Sequence, residues 1–146
     1  MKGSKVAVRV LVEADLFPTE DEAKVREALY ILTGSREAKR IAQGKRSRLV
    51  LEGDQSLLAK FRSMLRRERT LDAARKMLRR GVQGSTIRFH VNKQVALAGH
   101  VSFCQATGES PMGPISFYIS TEDTYSLIDW LATRTIDGVP VDELCP

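Results

Sequence analysis

Between Lys60 and Arg80 the chain reads KFRSMLRRERTLDAARKMLRR, and nine of these 21 residues are Lys or Arg, opposed only by Glu68 and Asp72. Arginine dominates, and its planar guanidinium fork matches the geometry of a phosphate. Helices charged merely for solubility interleave both signs at i,i+4 spacing, and this stretch does not. Lys60, Arg62, Arg66, Arg67, Arg69, Arg75, Lys76, Arg79 and Arg80 are therefore the candidate ligands of an anionic polymer, with nucleic acid the leading partner. The same surface also fits an acidic protein, as in a scaffold subunit of an RNA-processing assembly.

Other chemistry is thinner. No phosphate-binding Gly-x-x-x-x-Gly-Lys loop, dinucleotide glycine motif or His-Glu-x-x-His occurs. His90 and His100 are the two histidines, and they would face each other if residues 86–104 formed a hairpin. With Glu122, Asp123, Asp129, Asp137, Asp142 and Glu143 they leave open a metal-dependent nuclease as a third reading. No serine, threonine or cysteine is paired with a convincing base, so no catalytic residue, metal ligand or cofactor is assigned. Cys104 and Cys145 lie too far apart for a zinc knuckle and read as reduced thiols.

The charge is segregated along the chain. The net +5 divides into −1 over residues 1–35, +10 over 36–80 and −4 over 81–146. The 146 residues suit a single domain, 1–146, ending in an irregular acidic tail over 133–146. No apolar run is long enough to cross a membrane, and the opening MKGSKVAVRVLVEAD does not read as a signal peptide. A cytoplasmic protein is expected.

The elements that must position the basic run follow from periodicity. Val6, Val8, Val10 and Val12 alternate with Ala7, Arg9, Leu11 and Glu13 in a half-buried strand. Thr19 to Glu22 reads as a capping box, and Val25, Ala28, Leu29 and Leu32 form the stripe of a helix that stops at Gly34. Residues 35–47 are a weak helix or loop, and 48–53 a short strand. Asp54 is placed to cap a helix carried by Leu57, Phe61, Met64 and Leu65. Thr70 is placed to cap the next, carried by Leu71, Ala74, Met77 and Leu78 and ended by Gly81. Strands are expected at 86–92, 100–104 and 115–120, with a short apolar connection at 93–99 and turn chemistry at 106–114. A last helix follows Thr121, with Leu127, Ile128 and Leu131 inward.

The resulting order, β-α-β-α-α-β-β-β-α, predicts an α+β fold: a single, mainly antiparallel sheet with helices on one face. The other face would carry Arg9, Arg88, His90, Asn92 and Tyr118, a second place where RNA bases or a second copy in a homodimer could dock.

Four segments carry a resemblance: VRVLVEADLFPTEDEAKVREAL, FHVNKQVALAG, GPISFYIS and LIDWLATRTIDGVPV. Together they resemble an uncharacterised family of small archaeal proteins, grouped with predicted RNA-binding proteins. A sister group is proposed to be exosome-associated. The family is similar in fold to the large-subunit ribosomal protein that binds 5S RNA. The resemblance implies a non-enzymatic protein binding structured or ribosomal RNA. Its most specific piece, Asn92-Lys93-Gln94, sits at a strand end, where Lys93 is expected either to reach a phosphate or to fix a turn.

Overall fold

Val10, Val12, Ala14 and Leu16 all point to one side of the first strand, and the fold is built outward from that side. The computed structural model describes residues 7–44, 46–105, 113–136 and 139–141. In chain order its elements begin with strand β1 (Val8–Leu16), helix α1 (Glu22–Thr33), strand β2 (Lys39–Gln43) and strand β3 (Arg46–Gly53). A 3-10 turn at Gln55–Leu58 leads into helix α2 (Ala59–Arg67), followed by helix α3 (Leu71–Arg80). Then come strand β4 (Val82–Gln83), strand β5 (Thr86–Asn92), helix α4 (Lys93–Leu97), strand β6 (Phe103–Cys104) and strand β7 (Pro114–Thr121). Helix α5 (Thr124–Leu131) and strands β8 (Thr135–Ile136) and β9 (Val139–Pro140) close the described chain.

The main sheet runs β2-β3-β1-β7-β5-β4 with every neighbour antiparallel, and β6 pairs with the far end of β5. The α+β class and antiparallel sheet are as the periodicity predicts. Four details differ. Residues 39–43 form an edge strand rather than a weak helix or loop. Residues 93–97, expected as part of a short apolar connection, form the short helix α4. Only Phe103 and Cys104 of the stretch expected as a strand from His100 onward enter the sheet. Within the segment expected to be an irregular tail, β8 and β9 make a small ladder of their own, Thr135 opposite Pro140. The turn at 106–112 and the residues after 141 lie outside the described residues.

One face of the sheet is packed and the other is not. Leu49, Leu51, Ile87, Phe89, Val91, Ile115, Phe117 and Ile119 join the β1 residues on the packed face. Phe89 and Phe117 stack at 4.8 Å, and Phe61 of α2 rests on both, 5.4 and 5.2 Å away. Fully burying such a side chain contributes about 1.5–3 kcal/mol, and each aromatic pair about 0.5–1.5 more. Phe61, Met64 and Leu65 thus hold α2 against the sheet, and Leu71, Ala74 and Leu78 do the same for α3.

The helix ends show which side chains cap. Asp21, not Thr19, caps α1 by accepting from the Ala23 N–H at 2.9 Å. Asp54 caps the 3-10 turn. Thr70 makes no cap bond; its hydroxyl donates to the Leu65 carbonyl instead. Gly81 ends α3 where the chain allows no side chain, since a Cβ there would lie 1.8 Å from the Arg88 carbonyl oxygen. The Arg88 N–H donates to Gly81 O at 3.0 Å, stitching the end of α3 to β5.

Candidate nucleic-acid interface

The two basic helices form as expected, but their cations do not share one face. Lys60 lies toward α1, its ammonium 4.5 Å from the Tyr30 ring centre. Arg62 points toward α5, donating to the Trp130 carbonyl at 2.7 Å with its guanidinium 5.2 Å from that indole. Arg66 is half-buried. Arg67 reaches the Gly99 carbonyl at 3.1 Å and Glu68 at 3.5 Å. Arg62 thereby ties α2 to α5, while Lys60 and Arg67 remain exposed on the outside of α2.

Between α2 and α3 the chain turns through Arg69, the only described non-glycine residue with positive φ, at 56°. The Arg69 N–H donates to Arg66 O and the Thr70 N–H to Leu65 O. That pairing is a Schellman motif, with arginine in the left-handed position usually taken by glycine.

The charge left for a ligand collects along α3. Lys76, Arg79 and Arg80 are exposed, and Arg134, just before β8, comes up beside them. With Asp72, Arg75 and Thr135 they line an open cleft of about 580 Å³. Arg75 is committed inside the protein: its side chain is 11% exposed and bonds Asp129 at 2.6 Å and Ala132 O at 3.2 Å. Asp72 accepts from the Thr135 hydroxyl at 2.7 Å. Among the described residues, Lys76, Arg79, Arg80 and Arg134 have no ion-pair partner, so four positive side chains face Asp72 alone across the cleft. The carbonyl end of the α3 dipole helps stabilise Arg79 and Arg80 in the helix's last turn.

Two residues of the Asn92-Lys93-Gln94 segment are structural. Asn92 caps α4, its side-chain oxygen accepting from the Val95 N–H at 2.9 Å. Lys93 cannot serve as a surface phosphate contact. Its side chain is 5% exposed, and its ammonium bonds Asp15 O at 2.8 Å and both Glu20 oxygens at 3.0 and 3.1 Å. Gln94 is exposed and borders a groove between α1 and α4.

Arg88 is exposed on the uncovered sheet face, away from the cleft. There Leu11, Tyr118 and Arg88 stand side by side across three strands, and Glu13, Ser116 and His90 form the next row. Glu52 pairs with Arg9, and Glu13 and Asp15 with Arg48. With Lys39 and Arg46 also on this face by register, its cations exceed its carboxylates only modestly and most of these charges stand in pairs, which makes it a poorer attractor of phosphate than the α3 cleft.

The histidines do not meet. His90 is opposite Cys104 in the sheet, and its Nδ1 lies 2.7 Å from the Ser116 hydroxyl. Burial, and secondarily the charge of Arg88, lower the pKa of His90. His100 instead stands 3.5 Å from Glu68, at the end of α2. Of the carboxylates, Asp123 caps α5 by accepting from the Ser126 N–H, and Asp129 holds Arg75. Among the described residues no three His, Cys, Asp or Glu side chains converge as metal ligands would. Among the same residues no helix is long and apolar enough to cross a membrane.

Comparison with known proteins places this arrangement. Residues 9–121 match a family model described as RNA binding. A UPF0201 protein of Metallosphaera sedula is 42% identical over 134 residues, 91% of this chain and 93% of that one. The chain belongs to the UPF0201 family. Among solved structures, the UPF0201 protein from Methanococcus jannaschii superposes with a TM-score of 0.76 at 27% identity, covering 91% of this chain and 98% of that one. Mth689, a DUF54 protein from Methanothermobacter thermautotrophicus, shares the fold with a TM-score of 0.62 at 19% identity, covering 87% and 99% of the two chains. In this UPF0201 chain, the segment matched by the family model includes α2 and α3, while α5 and Arg134 follow it.

Proposed function

We propose that this protein binds structured RNA in the cytoplasm through the basic surface of α3 and the residues beside it, gripping the phosphate backbone with little base-specific readout. The carrying observation is the cleft in which Lys76, Arg79, Arg80 and Arg134 stand without a carboxylate partner among the described residues. Four like charges brought together repel one another, an arrangement that an arriving polyanion relieves. The description attached to the matched family supports the same reading. Arg62, Arg66, Arg75 and Lys93 are assigned to holding the helices and loops in place, and Lys60, Arg67 and Arg69 to the periphery of the interface.

The test is quantitative. With about four phosphates neutralised, log affinity falls against log salt with a slope of roughly −3 on single strands and nearer −4 on duplex. Changing Lys76, Arg79, Arg80 and Arg134 together to Glu abolishes binding, and because all four are exposed the variant keeps its circular dichroism, its melting temperature lowered only by the reversed dipole interaction at positions 79 and 80. Undiminished RNA affinity in that variant defeats the proposal.

A further inference from the structure

Helix α5 carries an aromatic side chain that the core does not use. Leu127, Ile128 and Leu131 make its packing stripe, while Tyr125 is left 64% exposed. Among the described residues no other aromatic is exposed to this degree. Its position is set by Arg75, which Asp129 and the Ala132 carbonyl hold so that the guanidinium lies 5.9 Å from the Tyr125 ring centre. Arg75 also lines the cleft. One fixed arginine thus both lines the cleft, whose cations have no ion-pair partner among the described residues, and neighbours the exposed ring.

We infer that the cleft and Tyr125 form a subsite for one unpaired nucleotide of the RNA. One of the cleft cations takes its phosphate while the others hold the neighbouring phosphates of the backbone, and Tyr125 stacks on the base. A nucleotide joins an anion to a flat ring through one sugar, and Arg75 is the residue that links the cleft to the ring. The guanidinium near the tyrosine adds a cation–π contribution that keeps the ring in place before the base arrives. Stacking on tyrosine accepts any base, so the subsite senses strandedness rather than sequence. Asp72, tied to Thr135 at the cleft wall, opposes the phosphate and is outnumbered there.

This rests on the RNA-binding reading above, and the experiment separates the two. Affinities are measured for a blunt RNA duplex and for the same duplex carrying a four-nucleotide single-stranded extension, using the full chain and its Tyr125→Ala and Tyr125→Phe variants. The unaltered protein is expected to prefer the extended RNA. Tyr125→Ala weakens that complex by about 5- to 100-fold, leaves the blunt duplex unchanged, and Tyr125→Phe restores the preference. If Tyr125→Ala has no effect, or weakens both RNAs equally, the subsite is overturned while phosphate binding stands. If the unaltered protein binds neither RNA, both readings fall.

Discussion

Lys93→Met removes one partner of a pair sealed between β1, α1 and α4. The ammonium contacts Glu20 at 3.0 Å, and the two side chains are 5% and 10% exposed. At an effective dielectric of about 20, unit charges at that separation attract by about 5–6 kcal/mol before desolvation is counted. Methionine matches the lysine stem in volume, so the loss is electrostatic rather than a cavity. Glu20 is left with a buried carboxylate that keeps its bond from the Phe17 N–H but has lost this cation. Breaking such a pair from one side costs about 3–5 kcal/mol. For 146 residues, at about 2.1 cal/mol/K of unfolding entropy per residue, the melting temperature falls by about 10–16 °C. Urea unfolding of Lys93→Met, Glu20→Gln and the double variant closes a thermodynamic cycle. The double variant is expected to regain at least half of the loss, and the folded single variant to bind RNA as before. A single-variant loss below about 1 kcal/mol, the range of an exposed pair, refutes the buried-pair account. Lost RNA affinity in a folded sample returns Lys93 to the interface.

Two further outcomes are expected. Arg69→Gly relieves the left-handed strain at the α2–α3 turn and stabilises the fold by about 0.5–1 kcal/mol net of glycine's entropy cost. A higher urea midpoint at unchanged slope is the readout, and a lower midpoint contradicts it. His90 has its pKa lowered in the fold from the ordinary value of 6.5. The unfolded chain therefore takes up a proton first, and stability falls as pH drops through 6.5 toward the lowered folded value. His90→Gln flattens that part of the stability–pH profile, whereas an unchanged profile removes His90 from the account.

Much of the fold was legible in the sequence because its strongest signals are periodic. Alternation placed β1, β5 and β7, and the stripes of Phe61, Met64 and Leu65 and of Leu71, Ala74 and Leu78 placed α2 and α3. The edge strand β2 was hidden because its KRIAQ sequence lacks a buried face and carries the charges that protect a sheet edge from association. The burial of Lys93 depends on Asp15 and Glu20, which are distant in sequence and close only in the fold. The same holds for Arg134, one of two arginines in the acidic segment 81–146, brought to α3 by the approach to β8. Charge density marked out the basic helices. It did not separate the arginines that bind the protein to itself, such as Arg62 and Arg75, from those left facing outward.

The strand order has a kinetic consequence. β1 lies between β3 and β7, so the first strand made is completed by one of the last. During synthesis β1 and β3 can pair early and α1 can cover them, but one edge of β1 stays open until residues 114–121 leave the ribosome. That edge bears Val10 and Val12 and is a template for unwanted strand pairing. A nascent chain of this protein, stalled after α3, would be more aggregation-prone than the finished molecule. Its slowest folding step would be the docking of β7 and β5 into a sheet already waiting for them.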